Sequence, residues 1–136
     1  MARLSSLAFP VEYQYEDSEF AILVPVHLTH GNRSVEFKAR LDTGASDCLF
    51  HRSYAEVLEI DWRSGFRRTY RTVTGSFTAY GHEVSMRTLG LDWSATVFFH
   101  ESGNPANAFL GRRGWLDRRQ LGLVHYEQKL YLGEIG

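Results

Sequence analysis

Three consecutive residues, Asp42, Thr43 and Gly44, are the best candidates for chemistry because they follow directly on an alternating stretch of the sequence. Apolar and charged residues alternate over residues 33–41, which predicts a half-buried strand with the Asp42 carboxyl group at its end. Gly44 permits a sharp turn and a close approach to a neighbouring segment or ligand. A carboxylate held in a fixed direction suits acid–base chemistry. The same residue types also form Asx-type turns between strands, and on these residues alone the turn is the favoured interpretation.

Short strands separated by turn residues dominate the rest of the sequence. Residues 21–29 form an apolar run of strand length, and a turn signal at residues 30–32 joins this run to the alternating stretch as a hairpin. Pro25 inside the first strand indicates an edge or a bulge. Further strands or short apolar runs are predicted at residues 48–50, 67–73, 77–86, 95–99, 108–110, 121–126 and 129–132. Many short strands with little helix predict an all-β barrel or sandwich.

Helix and turn signals are few. Ser53 at the N-cap and Glu56 three residues later fit a capping box, which predicts a short helix ending at about Glu59. Residues 115–120 are predicted to form one or two helical turns. A turn is predicted at residues 91–94, between two strands.

Four features, in this order along the chain, resemble the single-domain, retropepsin-like aspartic proteases of bacterial type. They are an apolar residue before Asp-Thr-Gly-Ala-Ser at residues 41–46, an apolar strand at residues 48–50, a glycine-tipped hairpin at residues 71–81, and a Phe-Leu-Gly segment at residues 109–111 followed by a short helix. The tripeptide alone is a weak signal, whereas the ordered set covers residues 20–132. The resemblance implies an all-β fold: a closed, retropepsin-like acid-protease barrel with a flap hairpin and one or two short helices.

The resemblance also implies a role for each matching residue. Asp42 would be the catalytic residue. The loop that carries it would be supported by Thr43, Gly44 and Ala45, and the Thr43 hydroxyl would reach across to the loop of a second copy. The flap, which covers the substrate, would contain Val73, Thr74, Gly75 and Ser76. The segment beside the catalytic turn would consist of Phe109, Leu110 and Gly111.

Peptide hydrolysis by this chemistry needs two carboxylates on either side of one water. Two such groups about 3 Å apart share one proton, so one acts as a base on the water and the other as an acid toward the carbonyl oxygen. The sequence contains Asp-Thr-Gly once, at Asp42, and no other aspartate is followed by Thr-Gly or Ser-Gly. The second carboxylate is therefore expected from a second copy, in a symmetric homodimer. Leu130, Leu132 and the N-terminal segment are candidates for the interface, although the two leucines fit an ordinary core equally well.

The length of 136 residues indicates one domain. The resemblance places a protease-like domain at residues 20–136 and leaves residues 1–19 as an N-terminal extension. The extension carries four acidic residues and is either a cleavable or inhibitory segment or a solvated tail, and the tail is the favoured interpretation.

Composition and charge argue against several other classes of protein. The formal net charge of -1 does not favour bulk attraction to nucleic acid or to an anionic membrane, and the sequence has no apolar run of about 18 residues. Arginine clusters at residues 67–71 and 112–119 could indicate a nucleic-acid surface, but solvated faces and interface ion pairs are favoured. No nucleic-acid or membrane partner is therefore expected.

Cysteine and histidine indicate neither a nucleophile nor a metal site. Cys48 and His51 lie around a predicted strand with side chains on opposite faces, so a Cys–His nucleophile is disfavoured. The six histidines show no metal-ligand spacing with Cys48 or the acids, and no metal or cofactor is expected. A single cysteine excludes an intrachain disulfide and suits a reducing compartment, so a cytoplasmic location is expected.

Two functions remain open at this level. The first is a homodimeric aspartic endopeptidase that hydrolyses peptide or protein substrates with a water activated between two Asp42 carboxylates. The second is a catalytically silent, retropepsin-like module that binds a peptide or regulates a partner. Intact Asp42, Thr43 and Gly44 favour the enzyme, because a silent copy has no chemical need for that carboxylate.

Overall fold

Strands account for most of the structure, a computed structural model that describes residues 2–16, 21–101 and 103–134. Within these ranges one short helix, α1 (Arg52–Val57), is present, and single 3-10 turns lie at Trp62–Ser64, Leu116–Arg118 and His125–Glu127. The strands, in chain order, are β1 (Val11–Gln14), β2 (Leu23–His30), β3 (Arg33–Leu41), β4 (Leu49–His51), β5 (Phe66–Thr72), β6 (Gly75–Thr88), β7 (Leu91–His100), β8 (Phe109–Leu110), β9 (Arg119–Val124) and β10 (Lys129–Glu134).

The larger sheet closes on itself. Its seven strands are joined in the order β2-β3-β8-β4-β7-β6-β5, and β2 also pairs with β6 through residues 27–29. This extra pairing closes a ring of six strands, and β5 extends from the ring because, among the described strands, it pairs with β6 alone. The predicted closed all-β barrel is therefore confirmed.

The barrel interior is filled by alternate residues of its strands. In β2, Val24, Val26 and Leu28 are buried while the residues between them are partly exposed, as strand geometry requires. Phe50 of β4 and Phe99 of β7 are also buried, with ring centroids 6.4 Å apart. Burial of each such side chain stabilises the fold by about 1.5–3 kcal/mol.

The predicted first hairpin is present. Strands β2 and β3 pair in antiparallel register from Leu23 opposite Arg40 to His30 opposite Arg33. Pro25 pairs only with β3 and lies outside the β2–β6 ladder, which confirms the predicted edge position.

The start of α1 differs from the prediction. The N-cap is His51 and not Ser53, because His51 keeps the extended backbone of β4 and its ring Nδ1 accepts from the Ser53 backbone N–H at 3.1 Å. Strand pairing thus continues up to the residue that caps the helix. The helix ends at Val57, slightly before the predicted end at Glu59.

The turn predicted at residues 91–94 is wrong. These residues belong to β7, and the turn lies one step earlier at Leu89 and Gly90, both with positive φ. The apparent turn residues are the exposed positions of an alternating strand: Asp92 faces out and binds Arg87, while Trp93 faces in and donates from Nε1 to the Gly114 carbonyl at 2.8 Å.

A second sheet, in the order β1-β10-β9, includes residues 11–14 of the N-terminal segment. Val11 pairs opposite Leu132, and Tyr15 is buried, with its hydroxyl 2.6 Å from His125 Nδ1. The interpretation as a solvated tail is therefore wrong for residues 11–15, because β1 completes this sheet. Residues 17–20 lie outside the described residues, and the division into an extension at 1–19 and a domain at 20–136 stays a prediction.

The C-terminal hairpin follows the predicted order. The helical turns predicted at residues 115–120 amount to one 3-10 turn, and β9 and β10 flank the turn at Gln128 as expected. Leu130 and Leu132 are fully buried in the core of the single chain. In the part of the chain that the structure covers, no helix is long and apolar enough to span a membrane.

Candidate active site

The loop between β3 and β4, residues 42–48, carries Asp42 and is called the Asp42 loop below. Its start is fixed by neighbouring backbone: the Leu41 N–H donates to the Ile22 carbonyl at 2.9 Å, and the Asp42 N–H donates to the Leu110 carbonyl at 3.0 Å. Asp42 therefore stands at the end of a strand that is bound on both sides, which limits how far its carboxyl group can move.

The Asp42 carboxylate is held by one of its two oxygens. Oδ1 accepts from the Gly44 N–H at 2.9 Å and from the Ala45 N–H at 3.2 Å. A Cβ at Gly44 would lie 3.2 Å from the same oxygen, tighter than most real contacts, so glycine suits this close turn. No hydrogen bond within the described ranges reaches Oδ2, while Thr43 beside it is exposed. The loop orients the carboxylate and leaves one oxygen for a ligand.

The segment with Phe109, Leu110 and Gly111 runs alongside this loop. Strand β8 pairs in parallel with the end of β3 and meets β4 at one antiparallel position. Beyond it, the backbone N–H groups of Arg112 and Arg113 donate to the carbonyls of Ala45 and Ser46, each at 2.9 Å. The structure thus brings together the predicted loop and the segment predicted to lie beside it.

Gly111 is buried at the point where the two segments approach most closely. A Cβ there would lie 2.7 Å from the Asp47 carbonyl carbon and 2.8 Å from the Ala45 carbonyl oxygen, inside the 3.0 Å that real Cβ atoms keep. Both neighbours are backbone atoms of the Asp42 loop. Only glycine therefore permits the observed spacing.

The predicted flap is the hairpin of β5 and β6. The paired residues nearest its end are Thr72 and Gly75, so Val73 and Thr74 form the turn and Val73 is fully exposed. Gly75 and Ser76, predicted for the tip, are the first residues of β6. Because β5 lies outside the closed ring of strands, this hairpin projects from the barrel.

Asp47 connects the flap hairpin with the Asp42 loop. Its side chain is 3 % exposed and binds Arg68 Nη1 at 2.7 Å, the Tyr70 hydroxyl at 2.6 Å and Arg113 Nε at 3.0 Å. Arg68 and Tyr70 belong to β5, whereas Arg113 follows Gly111. Three separate segments thus meet at one buried carboxylate.

The surroundings of Asp47 keep it charged. Burial alone raises the pKa of this carboxyl group, but hydrogen bonds from Arg113, Tyr70 and Arg68 outweigh burial and hold the pKa below its usual range. Burial and the bond to Asp47 raise the pKa of Tyr70, so the phenol stays a donor. This cluster was not predicted from the sequence, where its signal is the placement of Arg68 and Tyr70 on one face of a predicted strand.

A small hollow of about 140 Å³ lies between the flap hairpin and β8. Phe77 stacks on Tyr70 with ring centroids 5.1 Å apart, and its ring lies 5.9 Å from that of His100. The hollow therefore has mainly apolar walls next to the segment that anchors Asp42. Its lining residues are Leu49, Phe77, His100, Gly103, Asn107 and Phe109.

Cys48 and His51 do not form a nucleophile pair. Cys48 is fully buried, its Sγ lies 3.6 Å from the Arg113 carbonyl, and burial raises the pKa of its thiol to about 12. His51 instead caps α1 through its ring nitrogen. Throughout the described ranges, no group of three or more histidine, cysteine or acidic side chains is arranged to hold a metal ion.

Comparisons with known proteins bear on the fold. Neither a protein-family model nor a curated protein matches the chain. A solved structure of a retropepsin-like aspartic protease from Rickettsia conorii is similar, with a TM-score of 0.63 and 21 % identity over 88 % of this chain and 95 % of that one. The EIAV protease in complex with the inhibitor HBY-793 is also similar, with a TM-score of 0.52 and 17 % identity over 71 % of this chain and 86 % of that one.

The architecture consists of a closed barrel, a projecting hairpin and the Asp42 loop, and together these define its fold class. The chain has the retropepsin-like fold of aspartic proteases, so the resemblance inferred from its ordered motifs is confirmed at the level of the fold. At these identities the likeness establishes the fold, and the activity of the site is a separate question.

Proposed function

We propose that this protein is an aspartic endopeptidase that acts as a homodimer, with Asp42 of each copy supplying one carboxylate. The observation that carries the proposal is the state of Asp42: one oxygen is fixed by two backbone N–H groups, and the other has no hydrogen bond in the described ranges. The bonds to Oδ1 are also those of an Asx turn, so the support for a catalytic role comes from the unbonded Oδ2 on a loop of a retropepsin-like fold. The similarity to retropepsin-like aspartic proteases supports a hydrolase of this kind.

The chemistry follows from two Asp42 carboxylates facing each other across a two-fold axis. At about 3 Å separation, the two groups cannot both ionise easily, so the pair holds one proton and titrates as a unit. The ionised carboxylate takes a proton from a water, and the protonated one donates to the carbonyl oxygen of the peptide. Backbone N–H donation to Oδ1 from Gly44 and Ala45 fixes the direction in which Oδ2 acts.

Substrate would lie extended between the flap hairpin and the Asp42 loop and bind as an added strand. The turn at Val73 and Thr74 projects far enough to be free of the barrel core, since Val73 is fully exposed. The hollow lined by Phe77 and Phe109 would then receive an apolar side chain next to the cleaved bond.

The dimer interface would use the smaller sheet. Leu130 and Leu132 are buried within one chain, so they are not free for a partner. Strands β1 and β9 are the edges of this sheet, and Leu123 of β9 and the nearby Tyr126 are exposed apolar residues. Unpaired sheet edges and exposed apolar side chains are features that a second copy would cover.

The experiment that tests the activity compares two aspartate-to-asparagine variants. Asp42→Asn removes the proposed catalytic charge, and we expect it to abolish cleavage of a peptide library between acidic and neutral pH without changing the oligomeric state. Asp92→Asn is the matched control, because the Asp92 side chain is exposed and pairs with Arg87 on the β6–β7 hairpin. Cleavage by Asp42→Asn at the wild-type rate would refute the assignment, and peptide binding by wild type without any cleavage would favour the silent module.

A further inference from the structure

A hollow of about 420 Å³ lies beside the Asp47 cluster and is called the basic pocket below. It is lined by three arginines from two parts of the chain, one aspartate and two aromatic rings. These residues are Arg68, Arg113, Arg118, Asp47, Phe66 and Phe98.

The basic pocket carries excess positive charge. Three arginines and one aspartate give its lining a formal charge of +2, and Asp117, which accepts from the Gly114 N–H at 3.0 Å, is the nearest further acid along the chain. Counting Asp117 still leaves +1. Asp47 is 3 % exposed and both of its oxygens already accept hydrogen bonds, so its carboxylate is not presented to a ligand in the pocket. A ligand entering the pocket therefore meets arginine and not aspartate.

The guanidinium groups are held in place and keep unused donors. Arg68 lies over the Phe98 ring at 4.6 Å and uses Nη1 for Asp47. Arg113 uses Nε and Nη2 for Asp47, and its side chain is 60 % exposed. A guanidinium has five N–H donors in a planar fork that matches a carboxylate. Asp47 thus orients both arginines in advance without consuming their capacity to bind an anion.

The chain itself limits how far the basic pocket can lie from Asp42. Asp47 is five residues beyond Asp42, so the two are separated by at most about 17 Å of extended chain. Arg68 is on β5, a strand of the flap hairpin. Since an extended peptide advances about 3.3 Å per residue, the pocket is within roughly five positions of the cleaved bond.

We propose that the basic pocket is a subsite for an acidic side chain, aspartate or glutamate, within five residues of the cleaved bond. This inference rests on the proposed function, because it requires that an extended peptide binds between the flap hairpin and the Asp42 loop. In a homodimer the two copies of the pocket are related by symmetry. Peptides acidic near either end of the bound segment are then the favoured class of substrate.

The test measures cleavage of peptide pairs that differ only by glutamate or glutamine, scanned over five positions on each side of a cleaved bond. We expect one position at which glutamate raises kcat/KM about fivefold, the scale of a charge-assisted contact with partly exposed arginine. The ratio falls toward one in 1 M salt, where the Debye length is about 3 Å. A ratio near one at every position overturns the proposal.

Variants assign the effect to the basic pocket. Arg118→Gln removes a positive charge without touching the Asp47 cluster, and we expect the glutamate preference to fall. Arg118→Glu brings the formal charge of the lining from +2 to zero and should lower the preference further. Arg33→Gln is the control, because Arg33 is an exposed arginine that pairs with Glu59 outside the pocket. An equal loss of preference in Arg33→Gln and Arg118→Gln would overturn the assignment.

Binding separates this inference from the proposed activity. The Asp42→Asn variant is titrated with the same fluorescent peptide pairs, and anisotropy reports affinity without cleavage. Tighter binding of the glutamate peptide, lost in a variant that also carries Arg118→Gln, supports the basic pocket even if the wild type cuts nothing. Cleavage by wild type with no glutamate preference in rate or affinity overturns the pocket and leaves the protease proposal intact.

Discussion

Replacing Gly111 by alanine inserts a methyl group between the two segments that build the site. The added Cβ would lie 2.7 Å from the Asp47 carbonyl carbon and 2.8 Å from the Ala45 carbonyl oxygen. Neither backbone atom can rotate away as a side chain would, so the segments must separate. Overpacking of this kind costs about 1–3 kcal/mol, and weakening the Arg112 and Arg113 hydrogen bonds to the loop adds about 1 kcal/mol for each.

We therefore expect Gly111→Ala to lower the free energy of unfolding by about 3–5 kcal/mol, which is roughly 10–17 °C in Tm for a domain of this size. The neighbouring Leu110 carbonyl binds the Asp42 N–H, so the carboxylate should move as well. A displacement near 1 Å reduces cleavage about 100-fold at a temperature where the variant is folded.

Thermal unfolding followed by circular dichroism measures the change in stability. Gly133→Ala is the matched control. The new Cβ would lie 3.4 Å from Pro10 Cδ, the nearest atom outside the adjoining residues, which is an ordinary contact. The control should unfold within about 2 °C of the wild type. A Gly111→Ala protein that unfolds with its control would refute the account of the close approach.

Two further predictions concern the neighbours of Gly111. Asp47→Asn should lower the free energy of unfolding by about 3 kcal/mol at neutral pH, because two arginines lose their buried partner. The pKa of Asp47 in the folded state is below its ordinary value of 3.8, so its contribution to the free energy of unfolding is present above that pH and is lost as the pH falls further. Urea unfolding should therefore show a smaller difference in the free energy of unfolding between wild type and Asp47→Asn at pH 3 than at pH 6. An equal difference at the two pH values would contradict this. The Cys48 thiol, with its pKa raised to about 12, should resist iodoacetamide at pH 8 until the chain unfolds, and rapid labelling of the native protein would contradict its burial.

Local patterns predicted the hairpins well. Alternation over β3 and the turn at residues 30–32 lie within one short stretch, and the same holds for the flap hairpin and the pair β9–β10. Each depends on neighbouring residues, so the sequence contains the necessary information. The turn misplaced at residues 91–94 shows the limit: Asp92 and Ser94 are turn formers, yet the inward-facing Trp93 keeps them in β7.

Contacts between segments that are distant along the chain could not be predicted from the sequence. Asp47 meets Arg68 and Arg113 across 21 and 66 residues of chain, and nothing in the local sequence of Asp47 reveals either partner. The pairing of β1 with β10 joins the two ends of the chain and was likewise missed. The approach of Gly111 to the Asp42 loop was expected through the family resemblance, and the roles of these residues in catalysis stay predictions.

The central claim is that one active site needs Asp42 from two chains, and mixed dimers test it directly. Wild type and Asp42→Asn are unfolded together in equal amounts, refolded, and assayed at a concentration where the dimer forms. If both carboxylates are required, random pairing leaves activity in about one quarter of the dimers, whereas independent sites retain about one half. A value near one quarter, falling as the square of the wild-type fraction in further mixtures, is the predicted result. Activity that falls in simple proportion to the wild-type fraction would contradict the shared site.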